Sequence, residues 1–312
     1  MKMGAIDIGT NSMRIFIAKI ENGCIVEGFK DLRTTRMGEN VDETGRLSMD
    51  AINRNIDALK EFIKIAKKEG IKYMPIIATS AVRDAKNKET FIKRAKEEVG
   101  AKIEVITGER EAALGFFGVL RGLKEKNKNI LVIDIGGGST EFIFGNESGI
   151  KHLVSINVGA VRMTEKFITT DPICKKDTDN MIKAIDNMLE KTIYQLGKFK
   201  IDKVIGIGGT VTTIAAVAQK LEVYDREKIH NYELRKDEVK MILNQFLSKN
   251  LKERKQIVGL QPKRADIIPA GTIILDRILT GLNIDDIKIS EYDNLEGLVF
   301  EELDKMKDRL DK

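Results

Sequence analysis

One pattern of residues occurs twice in this chain. Ala5-Ile6-Asp7-Ile8-Gly9-Thr10-Asn11-Ser12 returns as Val132-Ile133-Asp134-Ile135-Gly136-Gly137-Gly138-Ser139, 127 positions later. Each copy is an apolar run carrying an Asp, then a turn of Gly and small polar residues, then a second apolar run, Ile15-Phe16-Ile17 or Phe142-Ile143-Phe144. Short runs rich in Ile and Phe read as strands, so each copy is expected to be a β-hairpin. With few Cβ atoms in the way, the backbone N–H groups of such a turn can converge on an anion, and hydroxyl and amide side chains add donors. Thr10, Asn11, Ser12, Gly136, Gly137, Gly138 and Ser139 are therefore candidate phosphate-binding residues. A tight hairpin that needs glycine for positive φ would explain one copy; two copies of matching composition favour anion binding. A third Gly turn, Gly208-Gly209-Thr210, follows the apolar run 203–207 and leads into an expected helix at 211–219, and a helix N-terminus is a ready anion site. No G-x-x-x-x-G-K-[ST] is present, and a strand rather than a helix follows the first two turns, which excludes the Walker loop and the dinucleotide fingerprint.

Other chemistries have little to work with. Cys24 and Cys174 lie 150 positions apart, and His152 and His230 lie 78 apart, so neither pair has zinc-site spacing. Carboxylates, hydroxyls, arginines and glycines are left to carry any reaction.

The elements that must hold these turns can be read from the pattern. Residues 48–69 have apolar side chains at helical spacing, with Ser48 as N-cap and Gly70 as terminator. Strands are expected at 73–79, 103–106 and 203–207. Helices are expected at 88–99, 109–123, 185–196, 236–247, 251–257, 264–279 and 295–310, with a break near Pro269. The polar run Lys124-Glu125-Lys126-Asn127-Lys128-Asn129 precedes the second hairpin, so a domain boundary is placed near residue 124. Two αβ units, one per hairpin, would face their Gly turns across a cleft and hold a ligand with several phosphates from both sides.

A chain of 312 residues with 42% hydrophobic content has enough length and apolar material for two cores. The longest uncharged stretch, 204–219, has 16 residues and three glycines, short of the roughly 18 to 20 needed to cross a bilayer. An Asp at position 7 interrupts the start before any signal-like apolar region, so the expectation is a cytoplasmic protein with no membrane partner. The net charge of +5 comes from residues 1–124, with 23 basic and 18 acidic side chains; residues 125–312 hold 30 of each. A basic first part suits a polyanionic ligand, although solvated surface charge has the same signature.

Six motifs together resemble the exopolyphosphatase/guanosine pentaphosphate phosphohydrolase family, within the superfamily of actin, Hsp70 chaperones and sugar kinases. They are DIGTNS at Asp7 to Ser12, ATSAVRDA at Ala78 to Ala85, ITGEREA at Ile106 to Ala112, VIDIGGGSTE at Val132 to Glu141, GIGGT at Gly206 to Thr210, and RADIIPAGTIIL at Arg264 to Leu275. The second and third are the more specific to the family. The resemblance implies an α/β fold of two actin-like, ribonuclease H-like domains around an interdomain cleft. Residues 1–124 would be domain I and 125–312 domain II, with the terminal helix 295–310 packing back on domain I. It also implies hydrolysis of the terminal phosphoanhydride of inorganic polyphosphate, or of the 5′ phosphate of guanosine pentaphosphate. The family's long members carry a further helical part of the HD-phosphohydrolase type, and their LREG segment here reads Asn294-Leu295-Glu296-Gly297, without the basic residue. A weaker hold on long polymers is the expectation.

The same resemblance implies roles. Glu111 of GEREA aligns with the family's catalytic glutamate and would orient and deprotonate the attacking water, with Glu109 as the nearby competitor. Arg83 would stabilise transition-state charge through a bidentate guanidinium. Asp7, Asp134 and Glu141 are the candidate ligands for Mg²⁺ or Mn²⁺ bridging the phosphate oxygens. Arg14 occupies the first-repeat position that Glu141 occupies in the second. Arg33 and Arg36 are candidates for a basic track along the polymer. No nucleic-acid partner is expected, and a homodimer is compatible with the sequence. A nucleotide-binding switch of the actin or Hsp70 type is a reading from another functional class, because GIGGT ahead of a helix also suits an adenosine site.

Overall fold

In a computed structural model the described residues are 1–71, 74–123 and 128–310. The expected strand start at Tyr73 and most of the expected linker, 124–127, lie outside them. The chain forms two compact units: residues 1–121 with 293–312, and residues 122–292. The terminal segment from Asp293 thus belongs with the first unit rather than with the second half of the sequence.

In the first unit, β1 (Lys2–Ile8), β2 (Met13–Glu21), β3 (Cys24–Arg33), β4 (Ile76–Ala78) and β5 (Ile103–Val105) form one sheet in the order β3-β2-β1-β4-β5. β1, β2 and β3 pair antiparallel in succession, and β4 and β5 join β1 in parallel. In the second unit, β6 (Ile130–Ile135), β7 (Thr140–Asn146), β8 (Gly149–Ile156), β9 (Lys203–Ile207), β10 (Glu233–Arg235) and β11 (Asp286–Ile289) run β10-β11-β9-β6-β7-β8. β6, β7 and β8 are again antiparallel neighbours, and β9 and β11 again continue in parallel; β10 is added antiparallel at the edge. The duplication seen in eight residues therefore extends to the topology of both sheets.

The central strands β1 and β6 are buried on both faces over most of their length, which their unbroken apolar runs require. Helix Met49–Lys68 covers the first sheet with Ile52, Ile56, Leu59 and Phe62, and the Ser48 hydroxyl caps it by accepting from the Ala51 N–H at 3.1 Å. In the second unit, helices Lys175–Leu196 and Ile268–Gly281 bury Met181, Ile185, Leu189, Ile273, Ile274 and Ile278 against the sheet. The first of these begins ten residues before the apolar periodicity signalled, because its opening turns are polar. The second starts at Ile268 with Pro269 in its first turn, where the missing N–H costs nothing. The helix expected from 211 begins at Gly208, so the glycines form its first turn. No described helix is long and apolar enough to cross a membrane.

Candidate active site

The two hairpin turns are built alike. Gly9 N–H donates to Ser12 O, and Gly136 N–H donates to Ser139 O, both at 3.0 Å. In the first unit Thr10, Asn11 and Ser12 are buried. The Gly38 N–H donates to Thr10 O and the Arg36 N–H to Asn11 O, each at 2.9 Å, while Thr10 Oγ1 and Ser80 Oγ share a hydrogen bond of 3.2 Å. In the second unit the turn is clamped by helix Ala160–Phe167, whose Ala160 and Val161 N–H groups donate to Gly136 O and Gly137 O, and by Arg162 Nε, which donates to Gly138 O at 2.8 Å. Fixed turns of this kind present donors without reorganisation.

Arg83 and Glu111 meet. Arg83, in helix Ser80–Asp84, donates from Nη1 to Glu111 Oε2 at 3.2 Å and to Ile106 O at 3.1 Å. Its approach to Asp84 is longer, 3.8 Å. Glu111 sits in the first turn of helix Gly108–Gly122 with 9% exposure, whereas Glu109 is exposed. Glu109's own backbone N–H and the Thr107 side chain hold its carboxyl below the usual range, the signature of a carboxylate serving the helix N-terminus. The two GEREA glutamates thus separate by environment: one is exposed at the helix N-terminus, and the other is buried beside a guanidinium. Arg33 is held by Glu61 and Asp31, each at 2.8 Å, and so is tied to its own unit's acids.

The acidic candidates fall into two settings. Asp134 and Glu141 are directly opposite each other on the β6/β7 ladder, so two buried carboxylates share one face of the sheet. Glu141, 1% exposed, accepts from Ser155 Oγ at 2.7 Å. Asp134 lies against the start of helix Gly208–Ala218: a Cβ on Gly208 would overlap Asp134 Oδ1, and Gly208 has φ +84°. Only glycine satisfies both conditions. Thr210 Oγ1 donates to Ile135 O at 2.8 Å, so the GIGGT turn is fastened to the second hairpin. The Arg264 guanidinium lies over Gly209, in the space a side chain there would fill.

Asp7 is different, because the residue opposite it on β2 is Arg14. Arg14 forks between two carboxylates, donating from Nη2 to Asp7 Oδ2 and from Nη1 to Asp293 Oδ2. Lys30 Nζ then reaches Glu296 Oε1 at 2.9 Å and Asp293 Oδ2 at 3.9 Å. The Asp293 N–H donates to Glu296 Oε2, and Asp293 Oδ1 accepts from the Leu295 N–H. Burial would raise the Asp293 carboxyl, but Arg14, Lys30 and the Leu295 amide outweigh it and hold it below the usual carboxylate range. Asp7 goes the other way: burial dominates over Arg14, and the Asp293 charge adds to the rise. The difference follows from partners, since Asp7 Oδ1 is buried and has none.

Asp293, Glu296, Lys30 and Arg264 are the residues the motif reading did not assign. One signal was available for two of them: Asp293-x-x-Glu296 is a capping-box pattern ahead of an apolar helix, and here Glu296 reaches back to the Asp293 N–H while Asp293 accepts from the Leu295 N–H. Among the described residues, no three His, Cys, Asp or Glu side chains come together as a metal site.

The model for the Ppx/GppA phosphatase family matches residues 16–306. This chain belongs to that family. It is 44% identical, over 95% of its length, to a bifunctional 3-dehydroquinate synthase/phosphatase of Fusobacterium nucleatum, of which it spans 46%. It is 30% identical to exopolyphosphatase 2 of Mycobacterium tuberculosis, covering 95% of this chain and 97% of that one. Among solved structures, the Ppx/GppA family member of Aquifex aeolicus superposes with a TM-score of 0.82 at 34% identity, covering 98% of each chain. The fold is accordingly the two-domain, actin-like α/β fold of these phosphatases, and the chain is a hydrolase of their class.

Proposed function

We propose that the protein is a metal-dependent exopolyphosphatase, hydrolysing the terminal phosphoanhydride of inorganic polyphosphate and releasing orthophosphate. The observation that carries this reading is the buried Glu111 carboxylate held by Arg83. A hydrolase of phosphoanhydrides needs a fixed acceptor for a water proton and a cation at the phosphoryl oxygens, and this pair supplies both. The Arg83 fork already spends one N–H on Ile106 O, so its remaining donors have a set direction.

In the proposed reaction, Glu111 orients a water and takes its proton as the water oxygen bonds to the terminal phosphorus. The bridging P–O bond breaks, the shortened chain keeps the bridging oxygen, and orthophosphate leaves. Thr10, Asn11, Ser12 and the 136–139 turn bind phosphate oxygens through hydroxyl, amide and backbone donors, and Gly208, Gly209 and Thr210 add a helix N-terminus. Mg²⁺ or Mn²⁺, when bound, would neutralise phosphate charge. Such a cation takes one or two protein carboxylates and keeps water and phosphate oxygens for the rest; Asp7 Oδ1 in the first unit, buried without a hydrogen-bond partner, is donor chemistry of that kind, and so are Asp134 and Glu141, opposite each other in the second.

The test is orthophosphate release from short and long polyphosphates and from guanosine pentaphosphate, as initial rates in matched metal. A higher rate on polyphosphate is expected. Preference for the nucleotide would replace this reading with the guanosine pentaphosphate phosphohydrolase. Tight calorimetric binding of ATP without phosphate release from either substrate would favour the switch.

A further inference from the structure

The first unit contains a chain of ion pairs: Arg14 is shared by Asp7 and Asp293, and Lys30 reaches Asp293 and Glu296. One atom of this chain stands apart: Asp7 is 4% exposed, and its Oδ1 is buried with no hydrogen-bond partner. A buried unpaired acceptor is costly and is retained where something else completes it. If Arg14 served only to neutralise Asp7, both of its fork nitrogens could lie on that one carboxylate, the strong bidentate arrangement. Asp293 instead takes one of the two, so Arg14 grips Asp7 through Oδ2 alone and leaves Oδ1 open.

We propose that Asp293 is a positioning residue: by claiming one arm of Arg14 it holds Asp7 in the orientation that presents Oδ1 to a divalent cation. This rests on the reading of Asp7 as a metal ligand. Asp293 is itself fixed from the far side, by Lys30 and by the amide groups of the turn that opens the last helix. The arrangement is that of an outer group orienting a ligating carboxylate, and loss of such a partner typically weakens metal binding by about 10- to 100-fold.

The experiment is Mn²⁺ binding to the intact protein, read from the free-ion electron paramagnetic resonance signal, for wild type, Asp7→Asn, Asp293→Asn and Arg14→Gln. Phosphate release is titrated with the same metal. Asp7→Asn should abolish most binding. Asp293→Asn and Arg14→Gln should each weaken it by about tenfold, with kcat at saturating metal within about threefold of wild type for Asp293→Asn. The pair of variants separates orientation from simple charge. Asp293→Asn removes a negative charge and Arg14→Gln a positive one, so electrostatics alone would move affinity in opposite directions, whereas positioning moves both downward. Opposite shifts, or unchanged affinity in both, would overturn the proposal while leaving Asp7 as a ligand. Unchanged binding in Asp7→Asn would overturn the metal assignment itself, and this inference with it. If Asp293→Asn does not fold, the sign of the Arg14→Gln shift decides alone.

Discussion

Gly297 is a sharp test of how the last helix is held, because local and tertiary effects there have opposite signs. It lies inside helix Asn294–Leu310, where replacement by Ala should favour the helix by about 1 kcal/mol. In the folded unit, however, a Cβ on Gly297 would overlap the Leu114 carbonyl oxygen, and a Cβ on Gly118 would overlap that of Asp293. The two helices cross backbone to backbone, so no side chain can rotate aside. Restoring a C···O contact of about 3.3 Å requires the last helix to retreat by more than about 1 Å. Overpacking of this kind costs about 1 to 3 kcal/mol, occasionally more. Against the propensity gain, and with the Arg110 to Glu301 pair at 2.5 Å also stretched, we expect Gly297→Ala to be destabilised by about 1 kcal/mol. For a unit of this size that is a fall in Tm of roughly 2 to 4 °C by scanning calorimetry. Metal affinity should fall as well, because Asp293 begins the same helix and orients Arg14. A Tm equal to or above wild type would show that propensity wins and that the crossing is not tight, and would refute the reasoning.

Other outcomes follow from the same geometry. Glu111→Gln should lower kcat for phosphate release by about 10² or more with little change in Tm, and full activity would remove Glu111 as the base. Gly208→Ala forces a left-handed residue and a clash with Asp134, so a loss of about 1 to 2 kcal/mol from backbone strain alone is expected in chemical denaturation, together with slower phosphate release. The hydrogen bonds from Arg110 hold the Glu301 carboxyl below its ordinary pKa. The stability this pair supplies is therefore present above the unfolded Glu value of about 4.3 and is lost as pH falls below it through the lowered folded pKa. Glu301→Gln should flatten that part of the stability profile measured by urea unfolding at pH 5 to 3, and an unchanged slope would contradict the linkage.

Much of the framework that holds the two Gly turns was legible as a string. The Asp-containing apolar run with its small-residue turn specifies a hairpin by local rules of strand propensity and glycine geometry, and its recurrence announced the doubled topology. Ser48, Gly70 and Pro269 marked helix ends because capping and proline sterics act within a few residues. Boundaries slipped where the local signal was absent: the polar opening turns of helix Lys175–Leu196 carry no apolar period, and in the third Gly turn the glycines themselves became helix.

What the chain order alone determined, then, is which residues form the two matching turns and which strands carry them, since both are set by neighbours in sequence. What tertiary structure decided is the state of the charges. Arg14 and Asp293 are separated by 279 positions, and only the return of the last helix to the first unit puts them on one guanidinium. Arg83 and Glu111, 28 positions apart, become a partly buried pair only because a short helix and the GEREA helix belong to the same unit. A carboxylate's role depends on burial and on who shares its hydrogen bonds, and neither is a property of its place in the sequence.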